Sequence, residues 1–411
     1  MMNILIFTQY FWPEHFHIND IAKNLLSKNH SVDVLTGKPN YPEGIFYKGY
    51  SAFGFSKEDY SGVNVYRLPI FARGRNNRLC LAINYFSFLI SSILFAPFLL
   101  RRRKYDLVFV YGVSPIFKVI AASLIAKIKG APLVLWVQDL WPDSVRATGH
   151  IKSKFLFIII EKLVRFSYSK ADLILVQSPA FVSEVMKYAP GKKIVYHPNS
   201  VSNDFYAPPD IPETKIQSLD RGFNILFAGN IGAAQAFETI IDTAKYLEPY
   251  SEIKIVIIGN GSKFQWLRSK IEASNIQNIK LEGRYPVQKM PSIMRKASAL
   301  LVSLRDERIF NLTIPNKLQA YLAVGKPIIA SLNGEGARLT IKAKAGFAVP
   351  PEDAEALSKA IIMLYKMTEE ERFQMGENAR MYFKRNFNQE ILTDLLLGYF
   401  KDIVYEWNKS K

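Results

Sequence analysis

The chain has 411 residues, 49% of them hydrophobic and 22% charged, which is enough apolar material for two or three packed domains and excludes a small binding module or a disordered protein. Its 53 Lys and Arg residues against 36 Asp and Glu residues give a net charge of +17, so we expect a polyanionic partner: nucleic acid, an anionic membrane surface or a phosphorylated substrate. Cys80 is the only cysteine, which excludes an intrachain disulfide and a cysteine-based zinc site.

The predicted elements of the first half begin with a short strand at residues 3–7. These residues lack a basic n-region and lead into a turn at Trp12-Pro13, so a secretory signal is not indicated and we expect a cytoplasmic protein. Further strands are predicted at 31–36, 63–68, 107–111, 133–137, 173–177 and 194–197, and helices at 18–27, 79–100, 116–127 and 155–168. This alternation is typical of an α/β fold with parallel sheets and crossover helices.

The predicted helix at 79–100 is long and apolar enough to cross a bilayer. Asn84, Ser87 and Ser91 recur at helical spacing and form a polar stripe, which favours a helix lying on a membrane or against a protein core over one that spans lipid. All three arrangements stay open. Basic residues flank the helix: Arg73, Arg75 and Arg78 before it, and Arg101, Arg102, Arg103 and Lys104 after it. A solvated basic face is one interpretation, but the neighbouring apolar residues favour docking on an anionic membrane over nucleic acid.

A proline-rich stretch at 198–222 precedes a second series of strands and is predicted as an interdomain linker. The second series spans 225–228, 253–258, 279–281, 300–304, 328–331 and 347–349, with helices at 237–246, 264–273 and 317–324. Thr368 and Glu371 form a capping box for a helix reaching about residue 385. A last helix near 391–407 places Leu395, Tyr399 and Ile403 on one face, so we expect it to pack on another element.

These elements predict two doubly wound Rossmann-like domains, at residues 1–200 and 223–388. A linker at 201–222 joins them, and a C-terminal helix at 389–411 follows the second. Because ligands of such folds bind at the carboxyl ends of the strands, a cleft between the two domains is the expected site.

Glycine-bearing turns follow four strands of the second half. They contain Gly229, Asn230 and Gly232, then Gly259 and Gly261, then Gly283, and finally Gly334 and Gly336. Since glycine lets a backbone approach a phosphate and helix N-termini present free N–H groups, their shared sheet edge predicts a phosphate site. Each turn taken alone is equally explained by backbone geometry.

The start of the helix at 317–324 predicts an anion site. Lys317 lies in its first turn, after Pro315, and opposes the helix dipole, a conflict that a bound anion would remove. The alternative is a Lys317 side chain that points to solvent. Arg284 and Arg305 each follow a predicted strand and add cations at the same edge. The chain contains neither a P-loop motif nor a full GxGxxG after a strand, so neither an NTPase nor a dehydrogenase is favoured.

Six segments together resemble the family 4 retaining glycosyltransferases of GT-B fold, and within them the bacterial O-antigen and capsule type that includes L-fucosamine transferases. They are YFWPEHF at 10–16, GKPNYP at 37–42, WVQDLWPD at 136–143, HPN at 197–199, FAGNIG at 227–232, and PNKL through GKP at 315–327. The resemblance covers nearly the whole chain.

The resemblance implies retaining transfer from a nucleotide diphospho-sugar in the second domain to an acceptor in the first. We expect the donor to be a UDP-sugar, with N-acetyl-L-fucosamine as one candidate sugar. Because the basic and apolar segment at 73–104 could hold the enzyme at the inner face of the plasma membrane, we expect the acceptor to be a saccharide linked to polyprenyl diphosphate. The resemblance implies no cofactor and no metal, because basic side chains and helix N-termini stabilise the leaving diphosphate. The residues assigned to the donor are Gly229, Asn230, Gly232, Arg284, Arg305, Asn316, Lys317, Gly334, Glu335 and Arg338.

The chain departs from the family at two glutamates that commonly stand eight positions apart. Leu312 and Ala320 occupy those positions here, so their contacts with the donor sugar and ribose cannot be assigned to them. We predict Glu335 as the substitute.

Candidate catalytic residues lie in the first domain. Where the family often places a histidine after a central strand, this chain has Asp139, predicted to orient the acceptor hydroxyl or to stabilise an oxocarbenium-like transition state. Its alternative role is to cap the turn before Pro142. Glu14 and His15, with His17 as a weaker candidate, follow the first strand at the same edge. Glu14 has helix capping as its alternative.

Three functions stay open on these grounds. The first is a membrane-associated glycosyltransferase of O-antigen or exopolysaccharide synthesis, with no role in nucleic-acid binding. The others are a UDP-sugar epimerase of the same architecture and a non-catalytic, membrane-binding relative.

Overall fold

A computed structural model describes residues 1–75, 77–147, 153–207 and 214–411, and divides the chain into two compact units. The first unit contains Met1–Pro198 and Glu390–Lys411, and the second contains Asn199–Gln389. Each is built on its own sheet, and the predicted α/β class with two doubly wound, Rossmann-like sheets is confirmed. Within the predicted linker, residues 208–213, which hold three of its prolines, lie outside the described residues.

The sheet of the first unit has eight strands in the order β3-β4-β2-β1-β5-β6-β7-β8. They are β1 Asn3–Phe7, β2 Ser31–Gly37, β3 Ser56–Tyr60, β4 Val63–Leu68, β5 Leu107–Gly112, β6 Leu133–Val137, β7 Leu173–Val176 and β8 Ile194–Tyr196. All neighbours pair in parallel except β3 and β4. The antiparallel edge strand β3 was not predicted, because its sequence, SKEDY, is charged and has no apolar run.

The sheet of the second unit is wholly parallel, in the order β11-β10-β9-β12-β13-β14. Its strands are β9 Phe223–Ala228, β10 Ile253–Ile258, β11 Ile279–Gly283, β12 Ala299–Ser303, β13 Ile328–Ser331 and β14 Gly346–Val349. Parallel strands place all their carboxyl ends at one edge, so the turns after β9, β10, β11 and β13 are neighbours there.

Helices cover both sheets. They are α1 Ile18–Ser27, α2 Arg78–Leu99, α3 Lys118–Lys129, α4 Asp143–Ala147, α5 Lys154–Ser169, α6 Pro179–Met186, α7 Asn203–Tyr206, α8 Phe237–Tyr246, α9 Phe264–Ala273, α10 Met290–Lys296, α11 Arg308–Leu312, α12 Asn316–Val324, α13 Gly334–Lys342, α14 Ala354–Lys366, α15 Glu369–Asn386 and α16 Gln389–Lys409. The predicted capping box of α15 is confirmed: Thr368 Oγ1 accepts a hydrogen bond from the Glu371 N–H, and the Glu371 carboxylate accepts one from the Thr368 N–H.

Helix α2 has its polar stripe inward and its apolar stripe outward. Asn84 is fully buried, where its Oδ1 accepts a hydrogen bond from Gln9 Nε2 at 2.7 Å and its Nδ2 donates to the Phe71 carbonyl at 2.6 Å. Phe88 packs beside it on Phe7 of β1. The exposed stripe consists of Leu79, Ile83, Phe86, Ile90, Leu94 and Phe98. Of the helices in the described part of the chain, α2 alone is long and apolar enough to cross a membrane.

Helix α16 packs in the core of the first unit. Its buried residues include Leu396, Phe400 and Ile403, and the Phe400 ring meets Phe109 of β5 edge to face at 5.0 Å between centroids. The predicted face was wrong in one respect: Leu395 is 47% exposed. Leu396 and Phe400, each one residue after a predicted position, are buried instead, while Ile403 is buried as predicted.

Replacing Phe400 by alanine tests this packing. We expect Phe400→Ala to lower the free energy of unfolding by about 3 to 5 kcal/mol, since the buried ring leaves a cavity. The measurement is urea unfolding followed by tryptophan fluorescence. Tyr405→Ala, at an exposed position of the same helix, is the control and should change stability by less than about 0.5 kcal/mol. Equal effects of the two substitutions would show that α16 is not docked through this face.

Candidate functional site

The glycine turns of the second unit interlock at the carboxyl edge of its sheet. The Gly229 N–H donates to the Ile258 carbonyl at 2.9 Å, and the Gly259 N–H donates to the Gly283 carbonyl at 2.7 Å. A Cβ at Gly259, where φ is +156°, would overlap the carbonyl oxygen of Gly229. Backbone packing therefore explains why glycine is needed at 259. The packed turns after β9, β10 and β11 form a compact sheet edge that is lined by peptide groups.

Lys317 places its ammonium group at this edge. Its Nζ lies 3.9 Å from the centroid of the Phe227 ring and 3.2 Å from the position that a Cβ on Gly229 would take. The Nζ is shielded from solvent and has no hydrogen-bond partner among the residues that the structure describes, although part of the side chain is exposed. Burial lowers the pKa of Lys317 to about 7. The alternative of a Lys317 that points to solvent is therefore wrong.

Tyr321, one turn further along α12, connects this helix to the sheet and was missed by the sequence analysis. Its hydroxyl accepts a hydrogen bond from the Ala228 N–H at 3.1 Å and lies 3.3 Å from the Ala228 carbonyl, to which it can donate. Because Ala228 immediately precedes Gly229, this contact fixes the start of α12 against the first glycine turn. A tyrosine within a run of small and aliphatic helix residues was the available signal.

Arg305 and Arg284 are both at this edge but differ in their contacts. The Arg305 N–H donates to the Ala234 carbonyl, and its guanidinium forms an ion pair with Glu238 at 3.3 Å. Glu238, which the sequence analysis did not identify, also pairs with Lys263 at 2.5 Å. Arg284 is exposed after the edge strand β11, two strand spacings or about 10 Å from β9, and the structure records no contact between it and Lys317.

The remaining predicted donor residues are engaged in contacts of their own. Glu335 is buried at the start of α13, where its Oε1 accepts a hydrogen bond from Arg338 at 2.5 Å. Gly334 has φ +70°, and a Cβ there would overlap the Asn311 carbonyl. Asn316 Oδ1 accepts from Asn199 Nδ2 at 2.9 Å. Glu335, Arg338 and Gly334 thus lie at the start of α13, after β13, and the structure records no hydrogen bond between them and Lys317.

The two family glutamate positions are occupied by apolar side chains. Leu312 ends α11, and Ala320 is buried in the core on α12. Neither position brings a polar group to the edge.

Asp139 follows β6 at the carboxyl edge of the first sheet. Its Oδ2 accepts two hydrogen bonds from Ser114, from the backbone N–H and from Oγ, both at 2.6 Å. Trp141 Nε1 donates to the same Ser114 Oγ at 3.0 Å. The Asp139 carboxylate therefore connects the loop after β6 to the loop after β5. The alternative role was a cap of the turn before Pro142, and the recorded hydrogen bonds are not of that kind.

Lys118 is a second buried lysine, and nothing in the sequence beyond a lysine opening an apolar helix indicated it. It begins α3 and is fully buried, and within the described part of the chain its Nζ has no hydrogen-bond partner. Burial lowers its pKa to about 7, an effect that the negative charge of Asp139 partly opposes. Lys118 and Asp139 therefore attract each other at the carboxyl edge of the first sheet.

Glu14 connects loops and does not cap a helix, so the capping alternative is wrong. Its carboxylate accepts hydrogen bonds from the N–H groups of Phe11, Asn40 and Tyr41 at 3.2, 2.8 and 2.7 Å. Burial raises the pKa of Glu14 to about 7, although these bonds act in the opposite direction. The residue holds the loop after β1 to the loop after β2.

The two histidines of this loop have different surroundings. His15 is exposed. His17 meets the Trp136 ring edge to face at 5.8 Å, and burial lowers its pKa to about 4. The structure records no hydrogen bond joining any two of Asp139, Glu14 and His15.

The basic residues that flank α2 are divided by their contacts. Arg73, Arg75 and Arg78 line a cavity of about 540 Å³. Arg101 lies over the Phe98 ring, 4.2 Å from its centroid. Arg103 pairs with Asp33 at 3.7 Å and donates to Tyr66 Oη at 3.1 Å, so this residue, predicted to face a membrane, is engaged by the protein itself. Arg102 and Lys104 are exposed.

Comparison with known proteins identifies both units. Residues 222–367 match the family model of glycosyl transferases group 1, and residues 15–200 match the glycosyl transferase 4-like domain. WcaI of Escherichia coli (strain K12), named as a colanic acid biosynthesis glycosyl transferase, is 24% identical over 413 residues, which cover 96% of this chain and all of that protein. WbjE of Pseudomonas aeruginosa, named as a glycosyltransferase, is 25% identical over 78% of this chain and 80% of its own length.

Solved structures share the fold. Sucrose-phosphate synthase from Thermosynechococcus elongatus superposes with a TM-score of 0.75 at 15% identity, covering 99% of this chain and all of that one. Anabaena HepE in complex with UDP gives a TM-score of 0.64 at 13% identity, covering 98% of this chain and all of that one. At these identities the likeness shows the fold alone, which is GT-B. With a 4-like domain in the first unit and a group 1 domain in the second, the chain is a glycosyltransferase of the group 1 type.

Proposed function

We propose that this enzyme transfers a sugar from a UDP-sugar to a saccharide linked to polyprenyl diphosphate, with retention at the anomeric carbon. The reaction serves O-antigen or exopolysaccharide synthesis, in the cytoplasm at the inner face of the plasma membrane. The observation that carries the proposal is the buried, unpartnered ammonium of Lys317 at the glycine edge. The name of WcaI supports a role in polysaccharide synthesis, and the UDP complex of HepE supports a UDP donor.

Lys317 is suited to a leaving diphosphate. Protonating a lysine amine that is held away from water without a hydrogen-bond acceptor costs free energy. An anion bound beside the resulting ammonium group supplies the missing partner. The first turn of α12 adds peptide N–H donors at the same edge. In this proposal these groups stabilise the leaving UDP without a metal ion or other cofactor.

The first unit is proposed to bind the acceptor. Asp139, whose carboxylate is oriented by Ser114, orients the acceptor hydroxyl or stabilises positive charge at the anomeric carbon. Glu14 acts as a positioning residue, because it fixes the loop at 40–41. N-acetyl-L-fucosamine is the first sugar to test. The matched domains and relatives are transferases, which favours transfer over epimerisation.

We propose that α2 docks the first unit on an anionic membrane. The exposed stripe of α2 presents large apolar side chains from Leu79 to Phe98, with cations at both ends. Its other face is tied to the unit through Asn84 and Phe88. These contacts support a helix that lies on the membrane over one that crosses it.

Substitution of Lys317 tests the donor site. We expect Lys317→Ala to weaken UDP binding about tenfold or more, because a charge-assisted contact is lost, and to reduce transfer in proportion. The measurements are UDP titration calorimetry and mass spectrometry of products from several UDP- and GDP-sugars with a polyprenyl-diphosphate-linked acceptor. Lys342→Ala, an exposed lysine of α13, is the control. Unchanged UDP binding by Lys317→Ala would reject the site.

The pH dependence of UDP affinity provides a second test. A free-state pKa of about 7 means that binding above pH 7 must first protonate Lys317, so we expect UDP affinity to fall as pH rises from 7 to 9, with proton uptake. Below pH 7 the ammonium is already charged and this dependence disappears. Lys317→Arg, which stays charged throughout, should bind UDP without the decline. A decline of equal slope in Lys317→Arg would show that another group titrates.

Charge placed on the exposed stripe tests membrane docking. We expect Leu94→Asp to reduce binding to vesicles containing anionic phosphatidylglycerol about tenfold or more, since it removes apolar burial and adds repulsion. Co-sedimentation with vesicles is the measurement. Leu395→Asp, at an exposed leucine of α16, is the matched control and should bind as the wild type does. If both variants bind equally well, α2 is not the docking face.

A further inference from the structure

A basic cavity lies beside the start of α2, in the first unit. Its volume is about 540 Å³, and its lining includes three arginines, Arg73, Arg75 and Arg78, together with Glu43 and Leu81. Three cations against one carboxylate leave a net positive lining. The structure records no ion pair for these arginines among the described residues. Arginine is the side chain best shaped to bind phosphate oxygens in pairs.

The walls of the cavity are held by contacts within the first unit. The Gly74 N–H donates to the Gly44 carbonyl at 3.0 Å, and a Cβ on Gly44 would overlap the Gly74 carbonyl. The Arg73 N–H donates to Asn40 Oδ1 at 3.0 Å. Because Glu14 in turn binds the N–H of Asn40, the loops on both sides of the cavity are joined to the loop after β1. These contacts fix the backbone of the two loops that carry Glu43 and Arg73.

The cavity adjoins the apolar stripe of α2 and is connected electrostatically to Asp139, the candidate catalytic residue. Leu81 lines it, and the exposed stripe of α2 begins with Leu79 and Ile83 on the same helical turns. On the inner side, Tyr85 of α2 interacts electrostatically with both Arg73 and Asp139. The first half of α2 therefore has the cation-lined cavity at its start, the apolar stripe on its outer face and, through Tyr85, Asp139 on its inner side. A carboxylate, a cation-lined cavity and an apolar surface match the three parts of a molecule with a sugar, a diphosphate and a long hydrocarbon chain.

We propose that this cavity binds the diphosphate of the polyprenyl-diphosphate-linked acceptor, with the first isoprene units on Leu79, Ile83 and Phe86. The identity of the acceptor rests on the proposed function; the location of its diphosphate rests on the cavity. Arg75 and Arg78 bind the phosphate oxygens, and Arg73, which also lies over the Tyr41 ring at 4.9 Å, faces the saccharide end. An anionic lipid headgroup and free phosphate would present similar oxygen atoms to the arginines. The test therefore distinguishes these two ligands from the diphosphate of the acceptor.

Binding of short probes tests the proposal without requiring catalysis. With the donor site saturated by UDP, the affinities of the full chain for farnesyl diphosphate, inorganic pyrophosphate and farnesol are measured by calorimetry. We expect farnesyl diphosphate to bind at least about tenfold more tightly than either other probe. The double variant Arg75→Gln/Arg78→Gln should lose about tenfold or more of that affinity, because two charge-assisted contacts are removed. The double variant Lys384→Gln/Arg385→Gln, which removes two exposed charges from α15, should bind as the wild type does.

Each other result overturns the proposal. If pyrophosphate binds as tightly as farnesyl diphosphate, the site takes free phosphate. If Arg75→Gln/Arg78→Gln loses binding to phosphatidylglycerol vesicles but keeps farnesyl diphosphate, the arginines serve headgroups. If the wild type does not bind farnesyl diphosphate, or both double variants bind it equally, the cavity is not the site. Thermal unfolding establishes that the variants fold.

Catalysis separates this proposal from the proposed function. In the double variant at Arg75 and Arg78 the KM for the diphosphate-linked acceptor should rise about tenfold, with kcat and UDP affinity retained. An acceptor saccharide on a short alkyl chain without phosphate should show no change in KM. Absence of transfer by the wild type with every donor would reject the proposed function and leave the farnesyl diphosphate result to decide the cavity.

Discussion

Close backbone packing among glycine turns is the constraint on which the second unit's site depends. Gly229 and Gly259 approach so closely that a side chain at 259 would collide with the neighbouring carbonyl. Peptide hydrogen bonds thereby join the ends of β9, β10 and β11. Tyr321 then fixes α12 to the residue before Gly229, which brings Lys317 over the Phe227 ring.

In the first unit, carboxylates position the loops at the edge of the sheet. Glu14 gathers three backbone N–H groups from two loops, and Asp139 gathers two bonds from Ser114 in a third. Loops that would otherwise move independently are therefore positioned at one sheet edge. The two units reach organised edges by different means, glycine contact in one and carboxylate bridges in the other.

The sequence predicted the fold well and the site contacts poorly, for physical reasons. Buried parallel strands such as β1 and β6 are apolar runs, so their positions can be predicted from the sequence. The edge strand β3 is charged and forms through pairing with β4, which the sequence does not indicate. The lysine at 317 was identified because it contradicts the helix dipole. Tertiary partners give no such local signal: neither the ion pairs of Glu238 nor the burial of Lys118 is visible until distant segments meet. The same holds for α16, where a packing partner on β5 decided which stripe turned inward.

The inverted amphipathicity of α2 has a consequence for the protein's colloidal behaviour. Helix α2 buries asparagine and serine and exposes leucine, isoleucine and phenylalanine. Its outer face is therefore an apolar surface in contact with water. If α2 docks on a membrane as proposed, the same side chains would be covered by lipid when the protein is bound and would be open to contact with another copy when it is not. The cations at both ends of α2 would repel those of a second copy and attract an anionic bilayer, which favours docking over self-association.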